Sequence, residues 1–426
     1  MRRLAVVYDR GSAGPAELSA AARVLDVEPV LVIDSTSEHV AQVLPALRRR
    51  FTLVDTAGMS PDEAAAAAAA VRLTGVVTFS DLCLPVASAL AAHLGTPHWH
   101  SPEVTAVLRD KAAQRRALAA HGVDATRYAV ITAGSAVADA LAVTGLPAVL
   151  KPHDGTAGQH VTRVDDLAAA EAAARRFFAT APTGSMLVAE ELLIGDPEVA
   201  GPAFGDYVSV EAAVHDGAVL PLGVVGKLPL EPPFRERGFF LPATLDAAIT
   251  ERVLSVAEAA VLALGIRTGV VHTELKLTAA GPRVIEVNGR AGGHVPDLFD
   301  RAFGYSVIET AFRLALGDPP VVPEHAGTGI TYQYVFLPPT DATAVEGVEG
   351  LAELHAHAGV DLIDVRVTPG QRVSWREGAF GRLGKVYGRV PDHTALAGLV
   401  TRIGDTTRFR FTRDETIAPQ VTANGQ

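Results

Sequence analysis

The sequence predicts an α/β protein: an open parallel sheet at the N-terminal end, then α+β lobes. Three observations predict it. The first hundred residues alternate short β-rich runs with helical stretches. The middle of the chain mixes strand and helix patterns and holds a hairpin pattern turning at Asp216-Gly217. A Pro-rich stretch, "DPPVVPE", then precedes a final region with its own strands. A chain of 426 residues is also too long for one hydrophobic core and suits roughly two to four lobes.

The elements follow in order. "LAVVYD", "PVLVID", "FTLVDT" and "GVVTFS" are β-rich runs that end in a polar residue, and "PAELSAAARVL" and "DEAAAAAAAVRL" are helical spacers. This is a βαβ pattern, in which ligand groups gather at strand C-termini. Ser80 and Asp81 end the fourth run, where either is a ligand group or a helix N-cap. "YDRGSAG" has glycines only at 11 and 14, so a dinucleotide fingerprint is missing. Ser101-Pro102 opens a helix, and residues 110–121 form another that stops at Gly122. The strand "PAVLKP" enters the glycine-bearing loop "HDGTAGQHV", and "SMLVAEELLIG" is a further strand. A long helix covers about residues 245–264, and "VIETAFRLALG" is a helix stopped by Gly317. "ITYQYVFL", "LIDVRVTPG" and "RLGKVYGRV" are strands of the last region.

Bulk properties narrow the function. A hydrophobic fraction of 48% and a charged fraction of 20% are those of a globular protein. No apolar run reaches the roughly 20 residues a membrane span needs, so no membrane partner is expected. "MRRLAVVYDRG" is too soon interrupted for a signal peptide. The single cysteine, Cys83, rules out an internal disulfide framework and points to the cytoplasm; it reads as a small core residue. A net charge of -11 argues against a nucleic-acid surface but allows an anionic nucleotide held by a local positive cluster. His98 and His100 read as a loop rather than a metal site, because no third ligand is near.

Chemistry concentrates in "GVVHTELKLTAAGPRVIEVNGRAGG", residues 269–293. Residues i and i+2 of a strand share a face, so Glu286 and Asn288 point one way while Ile285 and Val287 enter the core. His272, Glu274 and Lys276 likewise share a face. The turn "TAAGPR" lets the strands lie antiparallel, bringing Glu274 toward Glu286 with Asn288 alongside. Two carboxylates and an amide oxygen form a hard oxygen set that suits Mg²⁺. A solvated hairpin face would explain one such acid; it does not explain three oxygen ligands followed by Arg290. Lys151 stands before a loop with Gly155 and Gly158, the layout of a phosphate cradle and by itself a weak signal. Lys111 alone is a helix-start lysine, and Arg115 and Arg116 read as solvated.

In this order the segments resemble the ATP-grasp carboxylate–amine ligases. "RDKAAQRRALAAHGV" resembles the family's opening helix, "AVLKPHDGTAGQHV" its second lysine and glycine loop, and "VAEELLIG" the segment where adenine sits. "HTELK" and "IEVNGR" resemble its metal ligands and catalytic arginine. "VVGKLPLEPPFRERGFFLPATL", "NGRAGGHVPDLF" and the last region are similar to L-amino acid ligases. Position 289 is Gly where many relatives have Pro, and Glu198 and Asp206 are both candidates for the ribose-binding acid.

The resemblance implies an ATP-grasp fold with an N-terminal domain over 1–105, a mobile lid over 106–187, a catalytic subdomain over 188–320 and a C-terminal α+β lobe over 321–426. It implies that Lys111, Lys151, Gly155, Thr156 and Gly158 hold ATP phosphates, and that Glu190, Glu191, Leu193 and Glu198 bind the adenosine part. Glu274, Glu286 and Asn288 would bind Mg²⁺, with Mn²⁺ as the alternative; Arg290 and Gly293 would be catalytic. Asp81, Ser80, Glu211, His294 and His272 would face the substrate. The implied reaction activates an amino acid carboxylate with ATP and condenses it with an amine, in a chain that pairs with small molecules and forms a homodimer. The rivals are a thiol or hydrazine-like acceptor, and a nucleotide-binding protein without activity.

Overall fold

The computed structural model describes residues 2–96, 100–322 and 328–414. His98 therefore lies outside the described residues. Four sheets organise the described residues. The first is the expected parallel sheet, in the order Thr52–Asp55, Val27–Ile33, Arg2–Tyr8, Gly75–Thr78. Its inner strands are runs of Val, Leu and Ile because helices cover them. Cys83 is buried in that core, as expected, and burial pushes its thiol up to about 12. The strand Gly75–Thr78 ends by delivering Ser80 and Asp81 toward the rest of the molecule.

A second, antiparallel sheet runs Tyr128–Ile131, Leu187–Glu191, Ala148–Pro152, Thr162–Val164. Helices Val137–Thr144 and Leu167–Phe178 close it over a small core of Ile131, Leu141, Leu150 and Leu187. Lys151 projects from its middle strand Ala148–Pro152, and the glycine loop follows.

The third sheet has eight strands, in the order Gly281–Asn288, Gly269–Thr278, Tyr207–His215, Ala218–Lys227, Gly238–Leu241, Ile330–Phe336, Gly384–Val390, Leu362–Val365. Its last three strands come from residues beyond 321 and pair onto Gly238–Leu241 through Ile330–Phe336. The hairpin between Tyr207–His215 and Ala218–Lys227 turns at Asp216 (φ 52°) and Gly217 (φ 85°). Both centres are left-handed, which is the twist a two-residue hairpin needs. The fourth sheet pairs Ala342–Glu349 with Arg408–Arg413. The expected long helix is Ala247–Ala263, N-capped by Asp246 and laid against the first two strands of the large sheet. Among the described residues no helix is long and apolar enough to cross a membrane.

One packing expectation is corrected. Val287 enters the core, fully buried, but Ile285 is only half-buried and Val284 takes its place. The register skips Ile285: Glu274 faces Glu286, while Leu275 faces Val284. A β-bulge adds one residue to the strand and breaks the two-residue alternation there.

Candidate active site

The two strands Gly269–Thr278 and Gly281–Asn288 form a carboxylate hairpin. Its register sets Glu274 opposite Glu286 and His272 opposite Asn288. The three oxygen donors therefore sit on two rungs of one ladder, separated by the Thr273–Val287 pair and so on the same face. Lys111 Nζ lies 3.2 Å from Glu286 Oε1, and His272 Nε2 lies 3.1 Å from Glu274 Oε1. A positive group thus stands at each carboxylate, which is where a hard divalent cation would be held, so the donor set fits Mg²⁺. His272 also bonds Glu211 Oε1 through Nδ1 at 2.7 Å. Burial works against its charge, but Glu211 and Glu274 outweigh it and hold the imidazolium up to about 9. Burial likewise opposes the Glu274 carboxylate, and the hydrogen bond from His272 overrides it, holding the carboxyl down to about 2.

Lys111 opens the helix Lys111–Ala120, capped by Asp110, and also donates to the Gly155 carbonyl at 2.7 Å. Lys151 pairs with Glu190 at 2.8 Å. Its ammonium is pushed below the ordinary lysine range by burial, against the pull of Glu190. The loop between them places Ala157 (φ 57°) and Gly158 (φ 68°) in the left-handed region. Thr156 Oγ1 donates to Asp81 at 2.7 Å. The C-terminal segment reaches this loop too. Ala379 N donates to Ala157 O at 3.0 Å, and a Cβ at Gly378 would overlap that oxygen.

Arg115 is corrected from solvated to buried; Arg116 is exposed as expected. The Arg115 guanidinium forks onto Glu190 at 3.0 and 2.7 Å and donates to the carbonyls of Val284 and Ile285 at 2.6 and 2.8 Å. Burial opposes the Glu190 carboxylate, and Arg115 and Lys151 hold its carboxyl down to about 2. Gln114 completes the attachment. Its Nε2 donates to Leu108 O and Val287 O, and its Oε1 accepts from Val287 N, all at 3.0 Å. The sequence held a signal for these two. Residues 111, 114, 115 and 118 fall at i, i+3, i+4 and i+7, the buried stripe of a helix.

Glu190 and Glu191 are consecutive in a strand and face opposite ways. Glu191 turns to Arg127 at 2.8 Å and Arg283 at 3.5 Å, so the two carboxylates do not share a site. Leu193 is half-buried past the strand end. Glu198 is exposed on the short helix Pro197–Ala200, whereas Asp206 is held by Lys276 at 2.5 Å.

Beyond the hairpin, Arg290 Nη2 bonds Asp81 Oδ2 at 2.5 Å and approaches Asn288 Oδ1 at 3.4 Å. Gly289 lets the loop pass over the buried His100 ring, which bonds its carbonyl at 2.8 Å; a Cβ at 289 would lie 2.5 Å from His100 Nε2. Gly292 leaves room for His272 in the same way, its would-be Cβ lying 2.8 Å from Nδ1. Gly293 borders open space. His294 stacks on Phe239, with centroids 3.7 Å apart and planes within 4°, and its buried Nε2 has no hydrogen-bond partner among the described residues. Burial and then Lys227 keep this ring well below the ordinary histidine range. Lys227, fully buried, pairs with Glu236 at 3.1 Å and lies 4.7 Å from the Phe239 ring centroid. Sequence reading missed Lys227, Glu236 and Phe239, because they sit in an insertion without a local pattern.

The ATP-grasp domain family matches residues 144–296, which include Lys151, the glycine loop, the carboxylate hairpin and Arg290. An L-amino acid ligase from Bacillus licheniformis superposes with a TM-score of 0.78 at 20% identity, covering 97% of this chain and 99% of that one. The chain has the ATP-grasp fold. The ATP-grasp chain is also 30% identical over 302 residues to an uncharacterised protein, y4rH, of Sinorhizobium fredii (strain NBRC 101917 / NGR234), covering 71% of this chain. It is 27% identical over 214 residues, 47% of its length, to the alanine–anticapsin ligase of Bacillus subtilis (strain 168). It spans 61% of the length of the first relative and 45% of the second.

Proposed function

We propose that the protein is an ATP-dependent carboxylate–amine ligase that joins an amino acid, through its carboxylate, to the amine of a second amino acid. The observation that carries this is the rung-by-rung pairing of Glu274 with Glu286 and of His272 with Asn288, with Arg290 two residues past Asn288. A module that only bound nucleotide has no need of that arginine or of the second carboxylate. The relatives named as ligases support the same reading.

In this reading Glu274, Glu286 and Asn288 hold Mg²⁺, which when bound offsets phosphate charge. Lys111 leaves Glu286, and Lys151 turns toward phosphate from its seat against Glu190. The left-handed pair at 157 and 158 lets the loop backbone curl over the phosphates. A substrate carboxylate oxygen attacks the γ-phosphorus and ADP departs, leaving an acyl phosphate. The amine nitrogen then attacks the acyl carbon, phosphate leaves, and the ammonium proton is released. Arg290 binds the charge that develops on the transferring phosphoryl group and on the tetrahedral centre. Gly293, with open space beside it, gives that centre a backbone N–H it can approach. His294, Glu211, Ser80 and Asp81 form the substrate walls.

The test is phosphate release from ATP and Mg²⁺ across amino acids offered singly and in pairs, with mass spectrometry of the products. A condensed mass lighter than the pair by one water supports the reading. ATP binding without release for any pair would sink it, and product from thiol or hydrazine acceptors alone would put a rival in its place.

A further inference from the structure

Asp81 stands where three parts of the molecule meet. It follows the last strand of the parallel sheet, and one of its carboxylate oxygens, Oδ2, makes two contacts. It accepts from Arg290 of the catalytic loop at 2.5 Å and from Thr156 of the glycine loop at 2.7 Å. Its backbone oxygen accepts from Arg109 Nη1 at 2.9 Å, which anchors the residue from the helix Pro102–Arg109. The side chains of Arg290 and Asp81 are 15% and 13% exposed, so the pair is poorly solvated.

This arrangement conflicts with catalysis by Arg290. A phosphoryl group arriving at the guanidinium would have to share it with Asp81, and two anions at contact distance repel strongly where water is scarce. The conflict is relieved if a second cation reaches Asp81. Among the described residues Arg290 is the side chain ion-paired with the Asp81 carboxylate, and the nearby Arg109 guanidinium is engaged by the Asp81 backbone oxygen, so a substrate cation is the candidate for a second partner. The ammonium of an amino acid substrate has the right charge and donor count.

We propose that Asp81 is an interlock. Without substrate it holds Arg290 and Thr156 together; the ammonium of the carboxylate-donating substrate takes over its carboxylate, which frees Arg290 for the phosphoryl group and Thr156 for the nucleotide. The inference rests on the ligase reading above and adds to it a coupling between substrate amine and ATP use. Asp81 acts through Arg290 and is a positioning residue in this respect. The device keeps ATP from being spent on acids that lack an amino group.

The experiment compares two acids: the amino acid that the pairwise assay finds as donor, and the same acid without its amino group (propionate in the case of alanine). Phosphate release and amide formation are measured together for the wild type, Asp81→Asn, Asp81→Glu and Thr156→Val. The wild type should release phosphate with the amino acid, close to one per amide formed, and release little with the des-amino acid. Asp81→Asn should raise the des-amino rate relative to the amino acid rate by about tenfold or more, a change of about 1.4 kcal/mol in discrimination. It should also release more phosphate per amide. Asp81→Glu should restore much of the discrimination. Thr156→Val, which leaves Asp81 in place but also removes a hydroxyl assigned to the nucleotide, should raise the ratio of substrate-free phosphate release to amide formation whatever it does to the absolute rates. Unchanged discrimination in Asp81→Asn overturns the interlock, as does a wild type that uses both acids equally. So does a Thr156→Val variant with the wild-type ratio of substrate-free phosphate release to amide formation, should Asp81→Asn fail to fold. Amide formation by the wild type is read separately, so the ligase reading stands or falls on its own result.

Discussion

Replacing Glu190 by Gln isolates the charge on the strand Leu187–Glu191 of the second sheet without changing its shape. The wild-type carboxylate takes two hydrogen bonds from Arg115 and one contact from Lys151, all nearly out of solvent. Its carboxyl falls from an ordinary 4.5 to about 2. At about 1.4 kcal/mol per tenfold in proton affinity, the anion contributes about 3 kcal/mol of stability. Losing it also leaves two buried cations facing each other, a change that typically costs about 3–5 kcal/mol. The sign follows from a folded value below the unfolded one: the contribution is complete above pH 4.5 and is lost as pH falls through 2. Amide hydrogen exchange of the strands Ala148–Pro152 and Leu187–Glu191 reads this locally, without assuming that the whole chain unfolds as one unit. Glu190→Gln should speed exchange there at pH 7 by roughly a hundredfold or more, the equivalent of about 3 kcal/mol. At pH 4, after correction for intrinsic rates, the gap should narrow by about fourfold. Protection within threefold of wild type at pH 7 would refute the reasoning, because the Arg115–Glu190–Lys151 cluster would then contribute nothing to that sheet.

Arg290→Ala should leave nucleotide binding near wild type by calorimetry while cutting product formation by about a hundredfold to a thousandfold, as removal of a transition-state donor does. Gly289→Ala should lower thermal stability by about 1–3 kcal/mol, because the new methyl group meets His100 and Leu108; a melting curve checks it. Lys385 is pushed down to about 8, first by burial and then by Arg382. Its charge is therefore a cost to the folded state below pH 8 that disappears above 10.5. Lys385→Met should stabilise at pH 7 by at most about 3 kcal/mol, with the gain shrinking from pH 8 upward, as urea titrations at several pH values would show.

Much of the architecture was legible because it rests on local pattern. The β-rich runs with helical spacers give a parallel sheet, and Asp216-Gly217 gives a hairpin, since both depend on neighbours in the sequence. The facing of Glu274 and Glu286 was legible from strand periodicity alone. The bulge at Ile285 was not, because nothing in "RVIEVN" marks where an extra residue is absorbed. Arg115 was read as solvated because helix arginines usually are; its burial depends on Glu190, 75 positions away in sequence. The Asp81–Arg290 contact joins residues 209 positions apart, and no spacing rule reaches that far. His100 beneath Gly289 is of the same kind: two unremarked residues become one contact only in three dimensions.

The large sheet has a consequence for recombination. The short strand Gly238–Leu241, reading GFFL, has Ala218–Lys227 on one side and Ile330–Phe336 on the other. A gene fragment ending near residue 321 would leave that second side bare, with unpaired backbone groups and two large aromatic rings on a hydrophobic edge. Such edges seek another strand, and the nearest supply is a second copy of the fragment. Shuffling the C-terminal part of this chain for that of a distant relative is therefore a demand on strand register as well as on chemistry. Fragments that omit it should be recovered as aggregates, while exchanges that preserve the pairing with Gly238–Leu241 should stay dispersed.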